Sequence, residues 1–230
     1  MYTLLMPGFL YAHLYFVGTL ICAIPFLILY LYKKECRKGM LYVGLFCGIS
    51  AFLYSHISVY DYWHPNFIWK SFPIEDFLYG FFTGGFVSEC ADLFIKHKFK
   101  KNNNRKRYLL LFTLIAPAII FLGINVLKFN SIIILFIFTI IISTASIIFN
   151  HKIINLQIVS GLVALLSTTF VFQILLLIDS DFIVNNWKLE NLSGIMFLGV
   201  PLEEYVFGFM LGFCFTHFYE MVVGKDVTFK

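Results

Sequence analysis

Charge is scarce in this sequence: 13% of its 230 residues are Asp, Glu, Lys or Arg. A soluble domain carries about a quarter charged residues and fewer than half apolar ones, whereas 60% of this chain is apolar. A globular chain of this length has too much surface for its volume to hide that fraction in one core. Lipid is therefore the expected solvent. The shortage of charge excludes a soluble enzyme, a disordered chain and a nucleic-acid binder. Cysteine is sparse as well. Cys22, Cys36, Cys47, Cys90 and Cys214 show neither disulfide nor metal-ligand spacing, and four of them sit in apolar runs, where a thiol behaves as a small hydrophobe. The histidines form no ligand pattern either, and no glycine-rich dinucleotide fingerprint occurs. Neither a metal nor any other cofactor is expected. The N-terminal stretch lacks a basic region and reads as a membrane span, not as a cleavable signal.

Long apolar runs are abundant. A membrane helix needs about 20 such residues, and seven stretches qualify: 8–32, 39–57, 72–95, 108–127, 130–149, 154–178 and 195–223. The third and seventh carry acids. Basic residues concentrate in the links between spans, with Lys33, Lys34, Arg37 and Lys38 in one and Lys96 to Arg107 (KHKFKKNNNRKR) in another. Seven spans place these on one side with Lys152, Lys225 and Lys230, leaving only Lys70, Lys128 and Lys188 opposite. The positive-inside rule then predicts an N-terminus outside and a C-terminus in the cytoplasm. The basic run reads as a topology signal near anionic head groups.

The sequence also resembles itself. Residues 73–86 read PIEDFLYGFFTGGF and residues 201–214 read PLEEYVFGFMLGFC. At a constant offset of 128, Pro73, Glu75, Gly80, Phe81 and Gly84 match Pro201, Glu203, Gly208, Phe209 and Gly212. Asp76 matches Glu204, Asp92 matches Glu220, and a loop with acids and a Trp precedes each motif. Spans 1–3 and 5–7 then form two parallel units, and span 4 is the connection their orientation requires. The expected fold is an all-α integral membrane protein with seven transmembrane helices in a 3+1+3 plan. Its parts are residues 1–95, a basic loop and linking helix over 96–129, and residues 130–230.

Glu75, Asp76, Glu203 and Glu204 fall in the first turns of spans 3 and 7, where the helix dipole favours negative charge. An acidic cap at the membrane edge is one reading. Ionisable groups at membrane depth face the bundle interior as a rule and mark function, and the duplication favours that second reading. Neighbouring helical positions point about 100° apart, so only one acid of each pair faces a cavity. Strict identity favours Glu75 and Glu203 as the inward pair. Phe77, Tyr79, Phe81, Tyr205, Phe207 and Phe209, with Trp63 and Trp187 from the loops, are the candidates for lining that cavity. His56 and Asp61, near the same end, are candidate auxiliary groups. A desolvated carboxyl keeps its proton and acts as an acid, while aromatic faces stabilise cations without attacking them. The combination suits acid-initiated carbocation chemistry on a membrane-dissolved isoprenoid.

On these residues the chain resembles the lycopene cyclase domain family, the membrane carotenoid cyclases found as two small subunits or as fused forms. The family signature is Pro-x-Glu-Glu/Asp in each half, here Pro73-Ile74-Glu75-Asp76 and Pro201-Leu202-Glu203-Glu204. The resemblance implies redox-neutral cyclisation of the linear ends of lycopene or a related polyene, with Glu75, Asp76, Glu203 and Glu204 as the catalytic acids and no cofactor. Members often carry paired Phe after the acids, where this chain has Tyr79-Gly80 and Phe207-Gly208, which leaves the ring type open. A small membrane transporter and a non-catalytic carotenoid-binding protein are the alternative functions.

Overall fold

The computed structural model describes residues 8–69, 72–101, 105–110 and 116–229. Within them the chain is mostly helical. Five helical stretches are long and apolar enough to cross a membrane: Leu14–Tyr32, Lys34–Ser58, Ser131–Phe149, His151–Ile178 and Leu202–Val222. Large apolar side chains cover their outer faces; Leu177 is 81% exposed and Ile148 74%. Such faces are stable only against lipid. This is a membrane protein.

In chain order the helices are α1 (Gly8–Ala12), α2 (Leu14–Tyr32), α3 (Arg37–Ser58), α4 (Ile74–Glu89), α5 (Arg105–Leu110) and α6 (Ala116–Asn125). They continue as α7 (Ser131–Phe149), α8 (Ile154–Ile178), α9 (Phe182–Asn186), α10 (Leu202–Phe215) and α11 (Phe218–Val222). The isoleucine-rich α7 would be a poor helix in water, because β-branched side chains lose rotamer freedom there. In lipid, backbone groups have no water to bond, so a helix is the solution open to a single apolar segment. The Asn130 side chain starts it by accepting the Ile132 N–H at 3.0 Å.

Helices α2 and α3 pack on α4, while α7 and α8 pack on α10. Helix α4 also touches α8 and α10, which joins the two groups, and α6 runs along α7. Glycine sets the depth of these contacts. A Cβ at Gly80 would lie 2.5 Å from the Cys47 carbonyl oxygen, and one at Gly212 only 2.3 Å from that of Ser160. Close backbone approach is what small residues permit between membrane helices.

The structure departs from the expected spans in two places, 72–95 and 195–223. Stretch 72–95 is helical over Ile74–Glu89 and then tightens into a 3-10 turn, Cys90–Leu93, because the backbone leaves helical geometry at Glu89 (φ −128°, ψ −1°). The expected span 108–127 includes residues 111–115, which lie outside the described residues; on either side of them it is helical in α5 and α6. Stretch 195–223 begins as a small hairpin and not as helix: β2 (Met196–Phe197) pairs with β3 (Val200–Pro201) around Leu198 and Gly199, both at positive φ. A second ribbon pairs β1 (Lys98–Lys101) with β4 (Lys225–Thr228), so the chain is not strictly all-α.

Two contacts tie the groups together at opposite ends. At the acidic-motif end, Trp63 and Trp187 form an antiparallel bridge, flanked by His64 N–H to Asn186 O (2.8 Å) and Lys188 N–H to Tyr62 O (2.9 Å). At the basic end Phe99 pairs with Val227.

Candidate functional site

Pro73 and Pro201 stand immediately before α4 and α10. A proline lacks the N–H that a helix start would leave unpaired, yet keeps its acceptor; the Asp76 N–H reaches the Pro73 carbonyl at 3.2 Å. The acids therefore fall in the first turn of each helix, at the positive end of the dipole. Glu75, Asp76 and Glu204 are buried, and Glu203 is half-buried.

The acids divide their work in the same way in both halves. Glu75 Oε1 accepts the Ile68 N–H at 2.6 Å, and Glu203 Oε1 accepts the Ser193 N–H at 2.6 Å. The first acid of each pair thus turns back to hold the loop that precedes its helix. The second acid meets aromatic donors. Tyr15 donates its hydroxyl to Asp76 Oδ1. Tyr62 donates to Glu204 Oε1, and the Trp187 indole N–H donates to the same oxygen at 2.7 Å. Asp76 and Glu204 are thus the pair that meets tyrosine and indole donors, whereas Glu75 and Glu203, expected to point inward, meet backbone N–H groups. Glu75 Oε2, Asp76 Oδ2 and Glu203 Oε2 have no hydrogen-bond partner among the described residues. Such buried acceptors are uncommon unless something else satisfies them.

Aromatic rings link the two carboxyls. Trp63 packs edge-on against Tyr15, with centroids 4.5 Å apart at 85°, and lies 5.7 Å from Trp187. Tyr62 is contributed by the loop after α3 yet reaches the acid of α10, so the second carboxyl is completed across the seam. Beside the first carboxyl opens a cavity of about 670 Å³, lined by Tyr15, Ser55, His56, Phe67, Pro73 and Phe182 among others. Its volume falls in the small-molecule range, and its lining is half polar, with His64, Asn66, Asp179, Asn185 and Asn186 also facing it.

The remaining candidates separate. Tyr79 lies 6.4 Å from Tyr15, ring to ring, and stays with the site. Phe207 packs against the core cluster that contains Trp187. Tyr205 donates its hydroxyl to the Phe197 carbonyl at 2.9 Å and so fastens the hairpin. Phe77 and Phe81 sit over Gly48 and Gly44 in the contact between α3 and α4, and Phe209 covers Gly161 of α8. These three pack helices, and Phe77 also lines a smaller apolar cavity with Ile49, Phe52, Phe72 and Ile74. His56 is exposed and lines the cavity. Asp61 is committed elsewhere: its carboxylate accepts the Ser131 N–H at 2.8 Å and the Ser131 hydroxyl at 2.6 Å, at the start of α7.

Sequence reasoning missed Tyr15 and Tyr62. Tyr62 adjoins Trp63 in the acid- and Trp-bearing loop, a signal that was available. Tyr15 lies in an apolar span with nothing to mark it. Chemically, a carboxyl sharing a hydrogen bond with a phenol amid indole and phenyl rings can hold a proton, deliver it, and face a cation.

Residues 130–222 match the family model described as lycopene cyclase. The matched segment runs from the start of α7 to the end of α11 and includes Trp187, Glu203 and Glu204. No curated protein and no solved structure matches the chain.

Proposed function

From the match of residues 130–222 to the lycopene cyclase family model, we propose that this protein is a membrane carotenoid cyclase acting on the linear ends of a lycopene-type polyene. A carboxylic acid adds its proton to the terminal double bond, and the cation is attacked by a second double bond of the same chain. A carboxylate removes a different proton, so the ring closes without change in formula and without a redox cofactor. This makes the enzyme an intramolecular lyase, a class of isomerase. Asp76 and Glu204 are the proton-handling groups. Tyr15 and Tyr62 hold them, and Trp63, Trp187, Tyr79 and Phe207 offer ring faces to the cation. Glu75 and Glu203 fix the preceding loops.

The proposal extends to the whole chain. Residues 1–95 and 130–230 act as two three-helix units joined by the segment 96–129, with seven membrane passes, the N-terminus outside and the C-terminus cytoplasmic. The observation that carries the reading is the pair of buried carboxyls 128 positions apart, each accepting a tyrosine hydroxyl. The lycopene cyclase match covers one of the two.

The test is expression in a bacterial host that accumulates lycopene, followed by pigment separation. Cyclic carotenoid in place of lycopene is the expected outcome. Unchanged lycopene, with the protein demonstrably in the membrane, contradicts the proposal for that substrate.

A further inference from the structure

A second cluster of ionisable side chains lies at the basic end, far from the acidic motifs. Asp76 and Glu89 lie thirteen residues apart on α4, so the two clusters are separated by about 20 Å of helix. Here His217 is fully buried and Glu89 nearly so, with side chains 0% and 3% exposed. His217 Nε2 lies 3.2 Å from Asp92 Oδ1, and its Nδ1 lies 3.4 Å from Glu89 Oε2 and 3.9 Å from Glu220 Oε2. His97 Nδ1 lies 3.6 Å from the same Asp92 oxygen and 3.3 Å from the Ile95 carbonyl. One ligand atom from each of Asp92, His97 and His217 falls within 4.8 Å of the other two.

The helices break to build this cluster. Glu89 and His217 are 128 positions apart, as are Asp92 and Glu220. Helix α4 ends at Glu89, and α10 gives way to α11 through His217, which sits in the left-handed region (φ 50°, ψ 29°). A non-glycine residue held there, fully buried, is over-determined by its surroundings. Gly39 of α3 leaves room for the Glu89 carboxylate: a Cβ there would lie 1.8 Å from Oε1. Phe99 of β1 closes the top, its ring 4.8 Å from that of His97 and 5.2 Å from that of His217.

As it stands the cluster is unbalanced. Three carboxylates face two imidazoles, and among the described residues no Lys or Arg forms an ion pair with Glu89, Asp92 or Glu220. Lys33 Nζ donates to the Asp92 backbone carbonyl at 3.0 Å and not to its carboxylate. Both His217 ring nitrogens, Glu89 Oε1, Asp92 Oδ1 and Glu220 Oε2 lack hydrogen-bond partners among the described residues. Even with both imidazoles protonated, three carboxylates exceed them by one, and a cation held between the carboxylates would offset that excess.

We propose that Asp92, His97 and His217 bind a divalent transition-metal ion of zinc type, tying the two halves of the protein at the basic end. Two imidazoles and a carboxylate, with an open fourth position, form a zinc-type donor set; a metal on His97 Nδ1 takes the place of its hydrogen bond to the Ile95 carbonyl. The surroundings are those a metal-bound histidine has: with Nε2 on the metal, Nδ1–H faces the carboxylates of Glu89 and Glu220. Cys36 donates its thiol to the other Asp92 oxygen at 3.5 Å and so orients that carboxylate.

The test uses the full chain, purified in detergent without a polyhistidine tag, with metal content measured by elemental mass spectrometry. About one divalent transition-metal ion per chain is expected. In His97→Ala and Asp92→Asn, less than a tenth of that should remain, whereas Glu75→Gln should retain it. After chelation, Zn²⁺ alone should raise the melting temperature of the parent chain by several degrees and leave His97→Ala unmoved. His97 lies outside the described helices and strands, so its replacement spares the helix break at His217. A parent chain that carries no metal and does not respond to Zn²⁺ overturns the proposal. Equal metal in the parent and in both ligand variants overturns the site.

Discussion

A buried carboxyl that accepts a phenol hydroxyl and an indole N–H, as Glu204 does, is oriented by its partners and deprived of water. Replacing it by the amide keeps the shape and removes the transferable proton. Glu204→Gln and Asp76→Asn are therefore expected to lower cyclisation by about 10²- to 10⁴-fold, the usual yield of a positioned acid or base, with membrane insertion unchanged. Glu75→Gln and Glu203→Gln keep the oxygen that accepts the loop N–H and should cost far less. Tyr62→Phe removes a hydrogen bond to an ionisable group, worth about 1.5–3 kcal/mol, or about 10- to 100-fold in rate. Pigment ratios in membranes with matched protein levels check all five variants. The motif and its burial were legible from the doubled Pro-x-Glu-acid pattern. The division of labour was not, for a physical reason: Glu75 and Glu203 perform the same backbone-anchoring task at the same 2.6 Å distance, which requires the same residue. Asp76 and Glu204 meet different partners, so their lengths differ. Identity between the repeats marked the anchors.

Among the elements, the glycines decide how near the helices come. The contact of α10 with α8 has no room for a methyl group, because a Cβ at Gly212 would press on the Ser160 backbone, which cannot rotate away. Gly212→Ala is expected to destabilise the fold by about 1–3 kcal/mol, as overpacking does, read as a lower melting temperature in detergent. Gly8→Ala, whose Cβ meets nothing within 4 Å, should leave that temperature unchanged. Close packing at these positions was readable from their four-residue spacing. The hairpin before Pro201 and the left-handed break at His217 were not readable, since hydropathy runs unbroken through both. The cluster at the basic end stayed hidden for a related reason. Its donors come from separate segments around 89–97 and 217–220, and ligand spacing in sequence says nothing about residues that only a pair of helix breaks brings together.

The molecule as a whole is two helix groups joined at both ends, by Trp63 with Trp187 and by β1 with β4. The charge distribution suits this arrangement, because the basic links lie at the β1–β4 end. Reporter fusions after Phe229 should be active in the cytoplasm, and a cysteine added before Gly8 should be labelled from outside the cell. The reverse pattern would contradict the orientation, and both termini on one side would contradict seven passes. Membrane residence was legible from composition alone, and five of the seven expected spans stand as long apolar helices. The acid-bearing third stretch is shortened by its own function-like features, the loop that anchors Glu75 and the break at Glu89.

The central claim is that a carboxyl delivers a proton from water to the polyene. Membranes containing the protein, supplied with lycopene in D₂O, test it directly, with the product analysed by mass spectrometry. Proton addition followed by loss of a different proton predicts one deuterium retained for each ring formed. Cyclic product free of deuterium would contradict the account.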